Sequence, residues 1–440
     1  MDTIVIVGGG AGGLELATRL GDTLGKRDRA RIILVDRSHG HFWKPLLHTV
    51  ASGSCDPQVS QIEFSAQAAD HHFEFIQGEV LSVQRASRRI ELAPRCSAGI
   101  ELQPRRLLPY DKLVLALGSV TNFYNVPGAA DHALTLDSVP QAEAFRQRFI
   151  DACIRAGERK QQGLDGAAQV NVTIVGGGAT GVELAAELSH SARALARYKV
   201  MALDPEQDVH ISVIERGQYL LPHLHPQQSR GAAHHLRKLG IRVLTATAVA
   251  RVSAHAVQTT QDGIAQDYAS DLTLWAAGVE APPLCSTLGL ALNRLNQIIV
   301  NASLRAPDDP CLYAFGDCAS YVCPRTGAAP PRAQVAHQQA MFLADLLARA
   351  SQQGPRSGPG PDFRYRDYGS LVSLGPQAAV GVLSGALTGR RLQVGGVAAR
   401  WLYALMYQKH MLALHGTLRM ATQTLVDWLR ARILPPVKLH

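Results

Sequence analysis

The chain has 440 residues, 46% apolar and 18% charged, a balance that supports a sizeable core and excludes a disordered or fibrous chain. Its formal charge of +8 suggests an anionic partner, namely nucleic acid, a phospholipid surface or a nucleotide, and the motifs below, not the charge, set nucleic acid aside. Seven scattered cysteines exclude the dense disulphide framework of a small secreted domain, and no stretch reaches the roughly 18 apolar residues of a spanning helix.

In chain order, the first element is a β-branched strand, Thr3 to Val7, followed at once by Gly8-Gly9-Gly10-Ala11-Gly12-Gly13 and a helical stretch from Leu14 to Leu20. Because Met1-Asp2 runs directly into that strand, we expect no secretory leader. Gly8, Gly10 and Gly13 have GxGxxG spacing, which serves a tight turn, a close backbone approach to a pyrophosphate and close helix–strand packing. A second strand, Arg31 to Val35, ends in Asp36, 23 residues after Gly13, near the usual offset of about 20 for the carboxylate that holds a ribose.

After a polar seam at 157–169 the pattern recurs. Val172 to Val175 leads into Gly176, Gly178 and Gly181 at the same spacing, and a strand from Val209 to Ile214 ends in Glu215. The offset is now 34 residues, which a longer helix and the 201–208 loop can absorb. An acid there accepts from ribose hydroxyls and repels a 2′-phosphate, so Glu215 favours NADH over NADPH, with Arg216 beside it pulling the other way. Later, Cys311 to Phe315 is a short strand running into Gly316-Asp317, a pair that by itself is usually only a turn.

The stretch SQQGPRSGPGPD at 351–362 forms a second seam. Beyond it a strand-like region, Ser370 to Leu383, precedes two amphipathic helical stretches, 397–414 and 418–433. From Val397 onward six basic residues face one acid, Asp427, for a net +5. Basic, Trp-bearing amphipathic helices suit an interfacial membrane anchor, although the same apolar face could pack on the body or on a second subunit of a homodimer.

The segments IVIVGGGAGGLELATRL, HFWKPLLHTVASG, LVLALGS, TIVGGGATGVELAAEL, LWAAGV, YAFGDCAS, PPRAQVAHQQA and YGSLVSLG together resemble the bacterial type II NADH:quinone dehydrogenases of the two-dinucleotide-binding flavoprotein superfamily. The resemblance implies an α/β fold: two Rossmann-like dinucleotide-binding domains, the second inserted in the first, plus a C-terminal membrane-associating domain with amphipathic helices. The expected boundaries are 1–125 with 285–350 for FAD, 165–284 for NADH, and 363–440 for the membrane. For FAD it implies Gly8, Gly10, Gly13, Asp36, Lys44, Pro45 and Gly118, with Asp317 on the ribityl chain. For NADH it implies Gly176, Gly178, Gly181, Glu215 and Gly278.

The same resemblance places Glu183 beside the nicotinamide and Gln334 and Gln338 in a quinone pocket, as the catalytic set. Taken alone, Glu183 could equally be an acid stabilising the first turn of a helix, and the glutamines could be solvated helix residues. The activity implied is hydride transfer from NADH to FAD and two electrons to a quinone, without proton pumping, at the cytoplasmic face of the inner membrane. A soluble FAD-dependent NADH reductase and a non-catalytic redox sensor remain the alternatives. Only Cys55 lies where disulphide reductases carry a redox pair, Cys318 and Cys323 read as structural, and no metal-ligand spacing is seen.

Overall fold

The structure is a computed structural model that describes residues 1–164, 168–198, 203–323, 327–353, 361–375, 378–384 and 391–403, with positions 405, 408, 411, 412, 414, 422, 424, 426 and 429 beyond them. The second expected helical stretch, 418–433, lies almost wholly outside the described residues. The elements that carry the site, numbered in chain order, are β1 (Asp2–Val7), α1 (Ala11–Thr23), β2 (Ala30–Asp36), β3 (Glu74–Gln77), β4 (Lys112–Leu115), α2 (Val139–Gln161), β5 (Val170–Val175), α3 (Ala179–Arg197), β6 (Val209–Ile214), β7 (Arg242–Leu244), β8 (Leu272–Trp275), β9 (Leu312–Ala314), α4 (Ala333–Gln353), β10 (Gly369–Ser373), β11 (Ala379–Ser384) and β12 (Arg391–Gly395).

The contacts divide the chain into two compact units. The first comprises Met1–Lys44, Ser60–Val120 and Val279–Arg366. Its main sheet is parallel, in the order β9-β4-β1-β2-β3. Ile4, Val5 and Ile6 of β1 have no exposed surface, as expected for a central parallel strand covered on both faces.

The second unit comprises Pro45–Val59, Thr121–Gly278 and the described residues from Asp367 onward. Its sheet, also parallel, runs β7-β6-β5-β8. That order repeats β3-β2-β1-β4 of the first unit, so the repeat read from two glycine turns is also a repeat of topology. Both sheets change direction of winding at the strand that carries the turn, which opens a crevice at the carboxyl end where such folds bind their ligands.

Beyond shifts of a few residues at 120 and 279, two segments group differently from the sequence reading. Residues 45–59, expected with the first dinucleotide domain, belong to the second unit. Leu47, Val50 and Ala51 on the short helix Leu47–Ser52 are buried, that helix packs on α2 and α3, and the Ser191 hydroxyl donates to the Ser52 carbonyl at 2.7 Å. The part expected at 363–440 groups with the second unit from Asp367. There β10-β11-β12 form an antiparallel sheet that packs on a helical stretch at 396–403, burying Leu371, Ala379 and Ala399. Among the described residues no helix is long and apolar enough to cross a membrane.

Candidate dinucleotide and acceptor sites

The three glycines of the first turn do three separable things. Gly8 has φ +103°, and a Cβ there would overlap the Ala116 carbonyl just beyond β4. A Cβ on Gly13 would overlap the carbonyl of Gly8, so the helix can sit this close to the strand only without a side chain. Gly10, the N-cap of α1, meets nothing within 4 Å where its Cβ would stand. No side chain caps α1, which leaves its first N–H groups facing that open space.

The second turn repeats each feature. Gly176 has φ +112° and abuts the Ala276 carbonyl, Gly181 abuts the Gly176 carbonyl, Gly178 faces open space, and α3 has no side-chain cap. Uncapped N–H groups behind an empty cradle suit a pyrophosphate at both places.

The terminal acids match as well. Val7 pairs with Val35 and Val175 with Ile214, so Asp36 and Glu215 stand at the same topological position despite their unequal offsets. The extra length is taken up by the 19 residues of α3 and the connection to β6. Gly9 N–H donates to Asp36 Oδ2 at 2.6 Å and Ser38 N–H to Oδ1 at 2.7 Å. Gly177 N–H donates to Glu215 Oε2 at 2.7 Å and Gly217 N–H to Oε1 at 2.6 Å. Each carboxylate is thereby oriented, with acceptor capacity left on both oxygens for ribose hydroxyls.

Asp317 is held at the end of β9. The Ser119 hydroxyl donates to its Oδ2 at 2.9 Å, Gln297 Nε2 donates to its carbonyl at 2.8 Å, and Lys44 Nζ donates to the Ser119 carbonyl at 3.0 Å. Burial pushes the Asp317 carboxyl up, while the Ser119 bond and the Lys44 charge act against that. Gly118, at φ +68°, lets the chain turn between β4 and Ser119. Asp317, Gln297, Tyr321, Pro330 and Pro331 line a cavity of about 290 Å³. The polar ends of this group suit the hydroxylated chain of a flavin nucleotide. Pro45 falls in the other unit, where its carbonyl accepts from His48.

In the second unit, Gly278 meets only a side-chain tip. A Cβ there would overlap the hydroxyl of Tyr124, and Asn122 N–H donates to the Gly278 carbonyl at 3.0 Å. Tyr124 and Asn125 both have positive φ, +51° and +55°, which bends this loop over the end of β8.

Glu183 is buried on α3, with Ser373 N–H donating to its Oε1 at 3.0 Å, the Tyr403 hydroxyl bonded to it, and His48 Nδ1 3.5 Å from Oε2. Burial pushes the Glu183 carboxyl up to about 8, eased by the bonds from Ser373 and Tyr403 and reinforced by Glu187. Burial also lowers His48 to about 4, partly offset by its bond to Pro45. At neutral pH both groups are therefore uncharged, and their approach is one between neutral groups and not an ion pair. Sequence reasoning singled out Glu183 but missed His48 and Tyr403. His48 lay within a quoted segment, HFWKPLLHTVASG, but no spacing connects it, or Tyr403, to Glu183.

Gln334 and Gln338 lie on α4, one turn apart. Gln338 Nε2 donates to the Arg366 carbonyl at 2.8 Å and its Oε1 accepts from Arg366 N–H at 3.0 Å. The Tyr365 hydroxyl donates to Gln334 Oε1 at 2.9 Å. The helix itself is fixed against α1. Gly12 sits where any Cβ would crowd Phe315 and the Ala336 carbonyl, and His337 Nδ1 lies 2.7 Å from the buried Glu15 carboxylate.

The cysteines offer no exposed redox pair here. Cys318 is buried behind the Gly-Asp turn, its thiol pushed up by burial and by the neighbouring Cys285, which keeps it protonated and poorly nucleophilic.

Two uncapped glycine turns, each with an oriented carboxylate on the next strand, define a protein built to hold two dinucleotides. The family profile described as pyridine nucleotide-disulphide oxidoreductase matches residues 2–340. A type II NADH:quinone oxidoreductase of Haemophilus influenzae is 37% identical over 452 residues, covering 100% of both chains. A demethylphylloquinone reductase, NdbB, of a Synechocystis species is 29% identical, covering 97% of each chain. The solved structure of NDH2 from Plasmodium falciparum in complex with NADH has a TM-score of 0.81 at 20% identity, covering 99% of this chain and 100% of that one, which supports the fold. The chain belongs to the pyridine nucleotide-disulphide oxidoreductases and, within them, to the type II NADH:quinone oxidoreductases.

Proposed function

We propose that the chain oxidises NADH through bound FAD and passes two electrons to a quinone, without pumping protons, while resting on the cytoplasmic face of the inner membrane. The observation that carries this reading is the duplicated, uncapped glycine turn with its oriented carboxylate. When bound, FAD supplies a ring that accepts hydride from a nicotinamide and gives electrons to a quinone.

The chain's own residues bind and position. Gly10 and Asp36 hold the flavin nucleotide by its pyrophosphate and ribose, and Asp317, braced by Ser119 and Lys44, holds its polar chain. Gly178 and Glu215 do the same for NADH, and the Glu215 carboxylate disfavours the 2′-phosphate of NADPH. Glu183 keeps a proton at neutral pH because burial disfavours its charge, so it stands beside the nicotinamide as a neutral hydrogen-bonding group. Gln334 offers its amide to a quinone carbonyl without adding charge to an apolar site, and Gln338, one turn along the same face, braces the segment beside it.

The test is steady-state turnover by the purified, FAD-loaded protein. We expect NADH-driven reduction of short-chain ubiquinone or menaquinone analogues. Reduction of ferricyanide with no turnover of any quinone would favour the soluble reductase instead.

The membrane reading draws support from the described part of the tail. Val397, Trp401 and Leu405, spaced by four, are 65%, 71% and 59% exposed. An apolar stripe left open on this side, with a net basic tail, fits lipid headgroups and the upper acyl region. Replacing Trp401 with aspartate should lower partitioning onto vesicles containing anionic lipid by about tenfold, with ferricyanide turnover retained. Unchanged partitioning together with loss of a dimer on gel filtration would assign the stripe to a second subunit.

A further inference from the structure

Gln334 and Gln338 of α4 are both engaged by one short strap, Phe363 to Arg366. The strap is itself anchored: Phe363 N–H donates to the Ala302 carbonyl at 2.8 Å, and the Tyr321 hydroxyl donates to the Phe363 carbonyl at 2.9 Å. The Phe363 ring packs edge-on against Tyr321 and Phe342, each at 5.6 Å between centroids. Tyr365 and Arg366 are thus presented to α4 by a rigid segment.

The two amides are used differently. Gln338 is engaged at both ends, and because a backbone N–H can only donate and a backbone carbonyl can only accept, its amide orientation is fixed as it clasps Arg366. Gln334 is engaged only through Oε1; among the described residues its Nε2 has no protein partner, and the residue is half-buried.

We infer that Tyr365 is a positioning residue for the acceptor: by donating to Gln334 Oε1 it turns the Gln334 amide so that its NH2 donates to a quinone carbonyl, while Gln338 secures the strap. The inference rests on the quinone reading of α4 and deepens it. A carboxamide presents either an acceptor or a donor, and a quinone carbonyl is stabilised only by the donor. Without the Tyr365 hydroxyl, part of the Gln334 population faces the carbonyl with its own oxygen.

Two variants test this on the full-length, FAD-loaded protein, with a short-chain ubiquinone analogue as acceptor. Tyr365→Phe keeps the ring and removes only the hydroxyl; loss of one neutral hydrogen bond should raise the quinone KM roughly three- to tenfold. Its kcat with ferricyanide should stay near that of the unmodified protein, a split that general loosening of the fold would not produce. Gln334→Glu keeps the acceptor for Tyr365 and deletes the NH2, and should raise the quinone KM by more than about tenfold. If Gln334→Glu raises the quinone KM and Tyr365→Phe does not, Tyr365 has no positioning role and the inference fails while the quinone reading stands. An unchanged quinone KM in Gln334→Glu would overturn both. Equal losses with ferricyanide and quinone in Tyr365→Phe would also overturn the inference.

Discussion

A valine at Gly178 should give a protein that folds and stays yellow but whose flavin no longer responds to NADH. Gly178 has φ −73° and ψ −175°, a backbone conformation that any residue adopts, so the substitution introduces no strain. Its Cβ would enter space that is empty of protein and stands at the uncapped N-terminus of α3. If a pyrophosphate sits there, the side chain displaces at least two charge-assisted hydrogen bonds, and the KM for NADH should rise on the order of 10²-fold or more. The matching substitution, Gly10→Val, has the same permissive geometry, φ −65° and ψ −171°, on the other turn. It should yield a folded but colourless protein that does not take up FAD. The pair assigns each turn to its nucleotide, read by visible absorbance and by NADH titration. Loss of colour from Gly178→Val with retention in Gly10→Val would reverse the assignment.

The second large effect concerns Glu183. Its carboxyl titrates near 4.5 in the unfolded chain and at about 8 in the fold, because burial disfavours the charge. Between those values the native state holds a proton that the unfolded state has released, so this residue's contribution to stability falls as pH rises from about 4.5 through about 8. His48 acts in the opposite direction: lowered to about 4, it costs stability as pH falls below 6.5, where the unfolded imidazole gains a proton that the buried one cannot. The two slopes oppose each other between 4.5 and 6.5, and above 6.5 only the Glu183 slope remains. Glu183→Gln removes that slope. The midpoint of thermal unfolding, followed from pH 6.5 to 8.5, should fall for the unmodified protein and fall less for the variant, with a gap of roughly 5 °C at the alkaline end. Parallel curves would mean that Glu183 is ionised in the fold.

Much of this site was legible in the sequence because its signals are local. A strand, a glycine turn and a helix follow one another within about 20 residues, and the physical roles of Gly8, Gly10 and Gly13 are carried by spacing alone. Glu215 was legible despite its long offset, since what places it is the end of β6 and not the count of residues from Gly181. Gly278 was legible as a glycine, but its neighbour, the hydroxyl of Tyr124 from a loop some 150 residues earlier, was not.

Other features depend on long-range packing. The buried helix Leu47–Ser52 shows an apolar face in its sequence, but that face does not name its partner, and by contacts residues 45–59 group with the second unit and not with their neighbours in sequence. Glu183 read equally well as a helix-stabilising acid because its burial arises from Ser373 and Tyr403, about 190 and 220 residues downstream. Tyr365 lay just beyond a glycine- and proline-rich seam, where composition gave no reason to expect a contact with α4. Helix periodicity placed Gln334 and Gln338 on one face and could not reveal that the strap uses them unequally.

Anaerobic mixing of the FAD-loaded protein with NADH, followed by a second mix with a quinone analogue, tests the whole reading most directly. The oxidised flavin absorbance should bleach rapidly and stoichiometrically in the first stage and return in the second. A flavin that stays oxidised with excess NADH, or stays reduced when quinone is added, would contradict it.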